Sequence, residues 1–420
     1  MEIRCAAALP PSSIDSPSES ADNATLPAGL YAVDRHAMTG FLAYDDLTPN
    51  AIELARRRRA DGAGYIDLTS SNPTHQGLQF PQHVLRDAAD RYWAARRYDP
   101  DPRGLLAARR AVVHYYAQRR PALALLPDQI ILTASTSEAY NLLFALLTDP
   151  GDNVLAPAVS YPLFEYLAAV HRIELRPYAL DERRSWRIDP ASLHAQADHR
   201  TRAVLVISPH NPTGMVIQAA LPALEALRLP LICDEVFAEF AYMASHVPPI
   251  AALHPALPVF TLNGISKMFA LPDMKLGWIA LNTPAHERYA ARLELLNDTF
   301  LSASGLVQAM LPDLFAGAPE FIDRMRLHVH AGLDMASELL AQSQFLGVRR
   351  PDGGYYLFPE VYGWPDEEAL ILHLLEHGVL VHPGYFYSYE HGSHLMISCL
   401  TAHETLRAGL LRLIAALEHE

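Results

Sequence analysis

The chain has 420 residues, half of them hydrophobic and 19% charged, more than one ordinary core accommodates. Two units, or one large α/β unit with an appendage, are therefore expected. A net charge of −14 argues against a protein that follows a phosphate backbone, and no uninterrupted apolar run reaches membrane-spanning length.

Residues 1 to about 30 are rich in Ser, Pro, Asp and Ala and lack periodicity. They read as a loose arm without the apolar stretch of a secretory signal. Residues 41–59 are helical in pattern and end in Arg56-Arg57-Arg58-Arg59. Cations at a helix C-terminus complement the dipole and Gly62 supplies a stop, so the run reads as a solvated helix end rather than a nucleic-acid patch. Cys5, Cys233 and Cys399 lie far apart, which gives no disulfide framework and no cysteine-rich metal site and fits a reducing, cytoplasmic compartment.

From about residue 81 to 299, short apolar strands alternate with amphipathic helices. Strands are predicted at 130–132, 153–155, 203–207, 230–233, 259–262 and 277–281, with helices at 137–147 and near 163–170. This alternation predicts a mostly parallel sheet with helices on both faces. Beyond residue 348, strands at 355–358, 379–381 and 394–398 and helices at 367–377 and 403–417 predict a smaller α+β domain. One long helix over 313–340 is expected to join the two. There is no internal repeat, Walker-type loop or Gly-x-Gly-x-x-Gly, which weakens nucleotide readings.

In an open α/β sheet the ligand lies beyond the carboxyl ends of the strands, and four groups fall there. Thr133-Ala-Ser-Thr-Ser137 precedes a helix and is either a plain N-cap or an anion site. Ser208-Pro-His-Asn-Pro-Thr-Gly214 is either an ordinary turn or a device that fixes Asn211 between prolines. Asp234 ends a very apolar strand, where a carboxylate needs a cationic partner. Glu235 is expected on the opposite side in a structural role.

The fourth group is Gly264-Ile-Ser-Lys267. Lysine occurs only at Lys267 and Lys275 among 33 Lys and Arg. In so arginine-biased a chain, a surviving lysine is either an accident of codon bias or marks a place where a primary amine is needed, because arginine cannot form a Schiff base. A phosphate socket, an ordered amide, a buried acid and such an amine together describe a pyridoxal 5'-phosphate site.

From about Asp67 to Glu420 the chain resembles the class I/II aminotransferases of the fold-type I pyridoxal-phosphate enzymes. The strings that carry the resemblance are Ser71-Asn-Pro73, Tyr98-Asp-Pro-Asp-Pro-Arg-Gly104, Asp149-Pro-Gly-Asp152, Tyr161-Pro162, His210-Asn-Pro-Thr-Gly214, Asp234-Glu-Val236, Ser266-Lys267 and Gly353-Gly354. The resemblance implies an aspartate-aminotransferase-like α/β fold. Its large cofactor domain would span 76–310, and its small domain would be built from 31–75 and 311–420. It implies that Lys267 is the Schiff-base lysine and proton shuttle, that Asp234 pairs with the ring nitrogen and that Asn211 bonds the phenolic oxygen. Tyr161 would stack on the ring, and Ser135, Thr136, Ser137 and Lys275 would serve the phosphate. Ser71, Asn72 and Met396 would lie on the substrate side. Tyr98 would reach the phosphate of a neighbouring subunit, implying a homodimer with shared sites that acts on a small-molecule amino donor and a keto acceptor.

Four positions depart from the family pattern. Phe237 replaces a tyrosine that donates to the phenolic oxygen, Gly264 a phosphate-binding serine, and Lys275 the phosphate arginine. Met396 occupies the place of the arginine that clamps the substrate carboxylate, and no Arg or Lys lies between Arg350 and Arg407. Either the donor lacks an α-carboxylate, or a histidine (His382, His391 or His394) or Arg35 takes over, or the usual reaction is lost. Elimination, cyclisation or oxidation on the same cofactor, and a non-catalytic cofactor-binding protein, are the alternative functions.

Overall fold

The computed structural model describes residues 48–418; the expected N-terminal arm, the start of the predicted 41–59 helix and Arg35 lie outside the described residues. The helix Ala51–Ala60 begins where the Asn50 side chain accepts the Glu53 N–H at 2.9 Å. Its arginines are engaged locally. Arg56 and Arg57 each reach Glu53 at 2.7 Å, and Arg59 donates to the Gly64 carbonyl.

Seven strands form the main sheet. In spatial order they are Ile130–Thr133, Gly277–Leu281, Val259–Gly264, Leu231–Asp234, Thr201–Ile207, Asn153–Pro157 and Glu174–Tyr178. All pairings are parallel except those of Gly277–Leu281, which runs antiparallel to both neighbours. Alternate side chains bury on opposite faces, as a strand's period of two requires. Ile131, Val154, Leu205, Ile232, Leu262 and Ile279 pack with the helices Thr136–Leu147 and Thr283–Phe300, while Leu132, Leu155, Val206, Cys233 and Trp278 pack on the other side. Each buried aliphatic side chain contributes roughly 1.5–3 kcal/mol. With both faces so filled, the strands hold their register, and the carboxyl ends of the parallel strands share one edge of the sheet.

Where one helix over 313–340 is predicted, there are two, Gly305–Gly317 and Pro319–Leu340. Pro319 has no N–H to continue the ladder, so it opens the second helix at its first turn. The apolar period runs on through the junction and conceals the break.

The C-terminal part has a sheet in the order Leu346–Gly347, Glu360–Val361, Ser393–Ser398 and Tyr356–Leu357, with His382–Pro383 also paired to Ser393–Ser398. Ile66–Asp67 pairs in parallel with Val379–Leu380, so the segment that precedes the main sheet lies with these C-terminal elements. A short hairpin, Leu180–Asp181 with Arg187–Ile188, was not foreseen in the sequence. Its Trp186 packs on Phe358 and Tyr389 at centroid separations of 5.7 and 5.1 Å, joining the two parts. Among the described residues no helix is long and apolar enough to cross a membrane.

Candidate active site

Asp234 is the last residue of its strand and stands in register with Ile207 on one side and Leu262 on the other. The segments that leave those two neighbours carry Asn211 and Lys267. One sheet edge therefore gathers the acid, the amide and the amine, although they are 23 and 33 positions apart from Asp234 in sequence.

Asp234 is only 7% exposed. The Tyr140 hydroxyl donates to its Oδ2 at 2.8 Å and the Val236 N–H to its Oδ1 at 3.0 Å. Burial raises its pKa above the ordinary carboxylate value; both donors and the charge of Lys267 act in the opposite direction. Lys267 lies in the short helix Ile265–Met268, directly after the strand Val259–Gly264. Burial lowers its pKa to about 8, against the pull of Asp234. A buried amine so shifted has an accessible neutral form, which is the nucleophilic one. Glu235 points away, fully buried, accepting from Arg119 at 3.2 Å and from the Ile250 N–H at 2.9 Å.

The Asn211 loop is braced from both sides. The His210 ring bonds Thr213 Oγ1 at 2.9 Å and the Val159 carbonyl at 3.0 Å, and burial lowers its pKa to about 4, leaving it neutral. Gly214 sits at φ +70°, where an added Cβ would lie 2.3 Å from Pro351 Cβ and 2.6 Å from the Gly353 carbonyl. Within this frame the Asn211 Oδ1 is buried and has no hydrogen-bond partner among the described residues.

At the helix Thr136–Leu147 the Ser135 hydroxyl accepts the Glu138 N–H at 3.1 Å, so it caps the helix. Glu138 in turn accepts the Ala134 N–H at 2.6 Å. Thr136 and Ser137 occupy the first turn, where backbone N–H groups lack helical partners. Gly277 backs this turn closely; a Cβ there would come within 3.0 Å of the Ser135 carbonyl carbon.

On the facing side, Tyr356 packs edge-on to Phe237 at 5.8 Å and its hydroxyl is close to Ser71. Tyr161 is half-buried near the same ring. Tyr356 stands opposite Ser398, and Met396 opposite His382, so all four side chains share one face of the C-terminal sheet. Met396 is 2% exposed, and His382 is held neutral by burial, its pKa lowered to about 4. His391 is exposed, and the fully buried His394 faces Glu182 at 3.4 Å.

Three more of the expected site residues lie toward solvent or in a turn. Tyr98, expected at the phosphate of a neighbouring subunit, is 85% exposed. Lys275 is exposed at φ +52°, although the Ile265 N–H bonds the Leu276 carbonyl and keeps its segment beside the Lys267 turn. The Asn72 side chain accepts from the Thr74 N–H and hydroxyl, capping the turn Pro73–Gln76. Tyr140 and Tyr356 were missed as site residues. One sits in an apolar helix and the other in an apolar strand, and only the fold brings them to Asp234 and Phe237.

Residues 63–413 match the family model for aminotransferase class I and II. The chain is 28% identical over 375 residues to a glutamate-pyruvate aminotransferase AlaA of Haemophilus influenzae, covering 86% of this chain and 92% of that one. It is 28% identical over 382 residues to an alanine aminotransferase of Mycobacterium tuberculosis, covering 86% and 87%. Among solved structures, an alanine aminotransferase from Pyrococcus furiosus superposes with a TM-score of 0.80 at 23% identity, covering 87% of this chain and 95% of that one. An aspartate aminotransferase from Rhizobium meliloti gives 0.79 at 23% identity, covering 87% and 94%. The chain belongs to the class I and II aminotransferases, enzymes that use pyridoxal 5'-phosphate to pass an amino group between amino and keto substrates.

Proposed function

We propose that Lys267 holds pyridoxal 5'-phosphate covalently and that the enzyme takes an amino acid or amine donor without a guanidinium clamp. Asp234 would face the ring nitrogen, Asn211 the phenolic oxygen and Tyr161 the ring. Ser135, Thr136, Ser137 and Lys275 would serve the phosphate, Ser135 chiefly by fixing the helix N-terminus. The partnerless Asn211 Oδ1 supports this fit, since a buried polar atom without a partner costs about 1–3 kcal/mol and either end of the amide can turn to a ligand. So does a buried carboxylate aimed at a site where a ring cation would complete its pairing.

The bound cofactor supplies a sink for the electron pair left when the donor loses its Cα proton. Lys267 Nζ takes that proton and returns it to the other end of the reacting system, a task suited to an amine whose pKa is near 8. Asp234, kept dry and doubly hydrogen-bonded, stays oriented throughout.

The observation that carries the substrate assignment is the face made by Tyr356, Met396, Ser398 and His382, which presents a phenol, a thioether and a neutral imidazole, while the Ser398 hydroxyl is engaged with the Ser70 carbonyl. The relatives named alanine and glutamate-pyruvate aminotransferases support an α-amino acid donor. The Met396 face supports either a donor without an α-carboxylate or one whose carboxylate is met by Ser71, Tyr356 and His382. Two further assignments complete the proposal. Segments 31–75 and 311–420 form the small domain against 76–310. A second copy completes the site, with the 85% exposed Tyr98 reaching across. The buried free thiols of Cys233 and Cys399 support a cytoplasmic setting.

Half-reaction absorbance with a panel of donors tests the reaction: alanine, glutamate, other α-amino acids and primary amines without a carboxylate. Conversion of the cofactor band by at least one donor is expected. Absence of conversion with all of them, with release of ammonia or peroxide, would identify another reaction of the same cofactor.

A further inference from the structure

Tyr140 is the fifth residue of the helix Thr136–Leu147 and is 2% exposed. Its ring lies edge-on to Phe164 at 4.8 Å and tilted against Phe144 at 6.1 Å, so its direction is fixed by packing. Its hydroxyl donates to Asp234 Oδ2 at 2.8 Å. The hydroxyl keeps its proton, because burial and the neighbouring carboxylate both push its pKa far upward. It therefore acts toward Asp234 only as a donor. The same helix carries Thr136 and Ser137 at its N-terminus. One rigid element thus links the anion-binding turn to the carboxylate.

Resting on the assignment of Asp234 to the ring nitrogen, we propose that Tyr140 is a positioning residue that keeps Asp234 a weak base, so that the proton between the two stays on the nitrogen. The physical need is specific. Desolvation alone drives a buried carboxylate toward its neutral form, and each donated hydrogen bond favours the ionised form. Two donors oppose burial here, and only one of them, the Val236 N–H, is backbone and present whatever the sequence. The side-chain donor comes from an element 94 positions away. If Asp234 captured the proton, the ring would lose the charge that makes it an electron sink. Hydrogen bonds to ionised groups shift such equilibria by about tenfold or more.

Tyr140→Phe in the holoenzyme tests this, since it removes the hydroxyl and keeps the ring that fills the core. With cofactor labelled at the ring nitrogen, the ¹⁵N resonance is expected to move toward the unprotonated position. The pH midpoint of the cofactor absorbance band should rise, and kcat should fall about tenfold with little change in KM. Cofactor-free protein gives an independent reading: the Asp234 carboxyl ¹³C titration should move to higher pH. Tyr140→3-fluorotyrosine, a stronger donor, should move the absorbance midpoint the other way, and it keeps the test open if the phenylalanine variant folds poorly. A Tyr140→Phe enzyme whose ¹⁵N resonance and midpoint match the parent would overturn the proposal and leave Tyr140 a packing residue. Asp234→Asn tests the layer beneath: if it left the ¹⁵N resonance unmoved, the assignment of Asp234 itself would fail, and the proposal with it.

Discussion

Lys267 Nζ stands 5.8 Å from the centroid of the Phe237 ring, so the side chain at position 237 faces the reactive amine. Phe237 in turn meets Tyr355 and Tyr356 edge-on at 4.9 and 5.8 Å. On the proposed assignment of Lys267, a hydroxyl added to this ring would serve as a donor to the cofactor's phenolic oxygen. Phe237→Tyr is therefore expected to lower the pH midpoint of the cofactor absorbance band, because a new donor stabilises the deprotonated imine's phenolate neighbour. An unchanged or raised midpoint in a spectrophotometric titration would show that the ring edge points elsewhere.

The depressed Lys267 pKa has a consequence for stability. In the unfolded chain the amine holds its proton up to about pH 10.5, and in the fold only to about 8. Between these values the unfolded state binds more protons, so stability rises with pH through this window. Below it the buried charge costs about 3 kcal/mol in cofactor-free protein. Comparing denaturant unfolding of that protein with Lys267→Met from pH 7 to 10.5 isolates the effect. The difference between the two should shrink or reverse as pH rises; a constant difference would mean that Lys267 is not desolvated.

Arg119 and the fully buried Glu235 hold the segment that follows Asp234. Arg119→Met leaves that carboxylate with the Ile250 N–H as its remaining donor and should cost about 3–5 kcal/mol of unfolding free energy. Adding Glu235→Gln should restore most of it. Chemical denaturation of the single and double variants checks both values, and equal stability of Arg119→Met and parent would contradict a buried pair.

Met396 lies opposite His382 on the face that looks toward Tyr356. Met396→Arg should raise kcat/KM for donors with an α-carboxylate by about tenfold to a hundredfold, the usual range for a charge-assisted hydrogen bond, and leave amines without one unaffected or poorer. Steady-state kinetics on both donor classes decides it. An equal change for both would remove this face from carboxylate recognition.

Much of this architecture was legible in the chain. Apolar runs bounded by Pro, Gly and Asn located the central strands to within a residue or two, because a strand buried on both faces must be apolar throughout. The gathering of Lys267, Asp234 and Asn211 at one sheet edge was legible because each ends or follows such a strand and belongs to an unusual string. The break at Pro319 was hidden by an apolar period that continues through it. Tyr140 and Tyr356 were not legible, since nothing local distinguishes a tyrosine that fills a core from one whose hydroxyl reaches a carboxylate. The capping duties of Ser135 and Asn72 likewise depend on side-chain direction, which spacing does not convey.

The most direct measurement is borohydride reduction of the purified, cofactor-loaded protein followed by peptide mapping, carried out beside Lys267→Arg. The parent should be trapped with the reduced cofactor on the peptide that contains Lys267, and the variant should fold but lose the reducible chromophore. A chromophore that persists in Lys267→Arg, or a label on the Lys275 peptide, would contradict the central role given to Lys267.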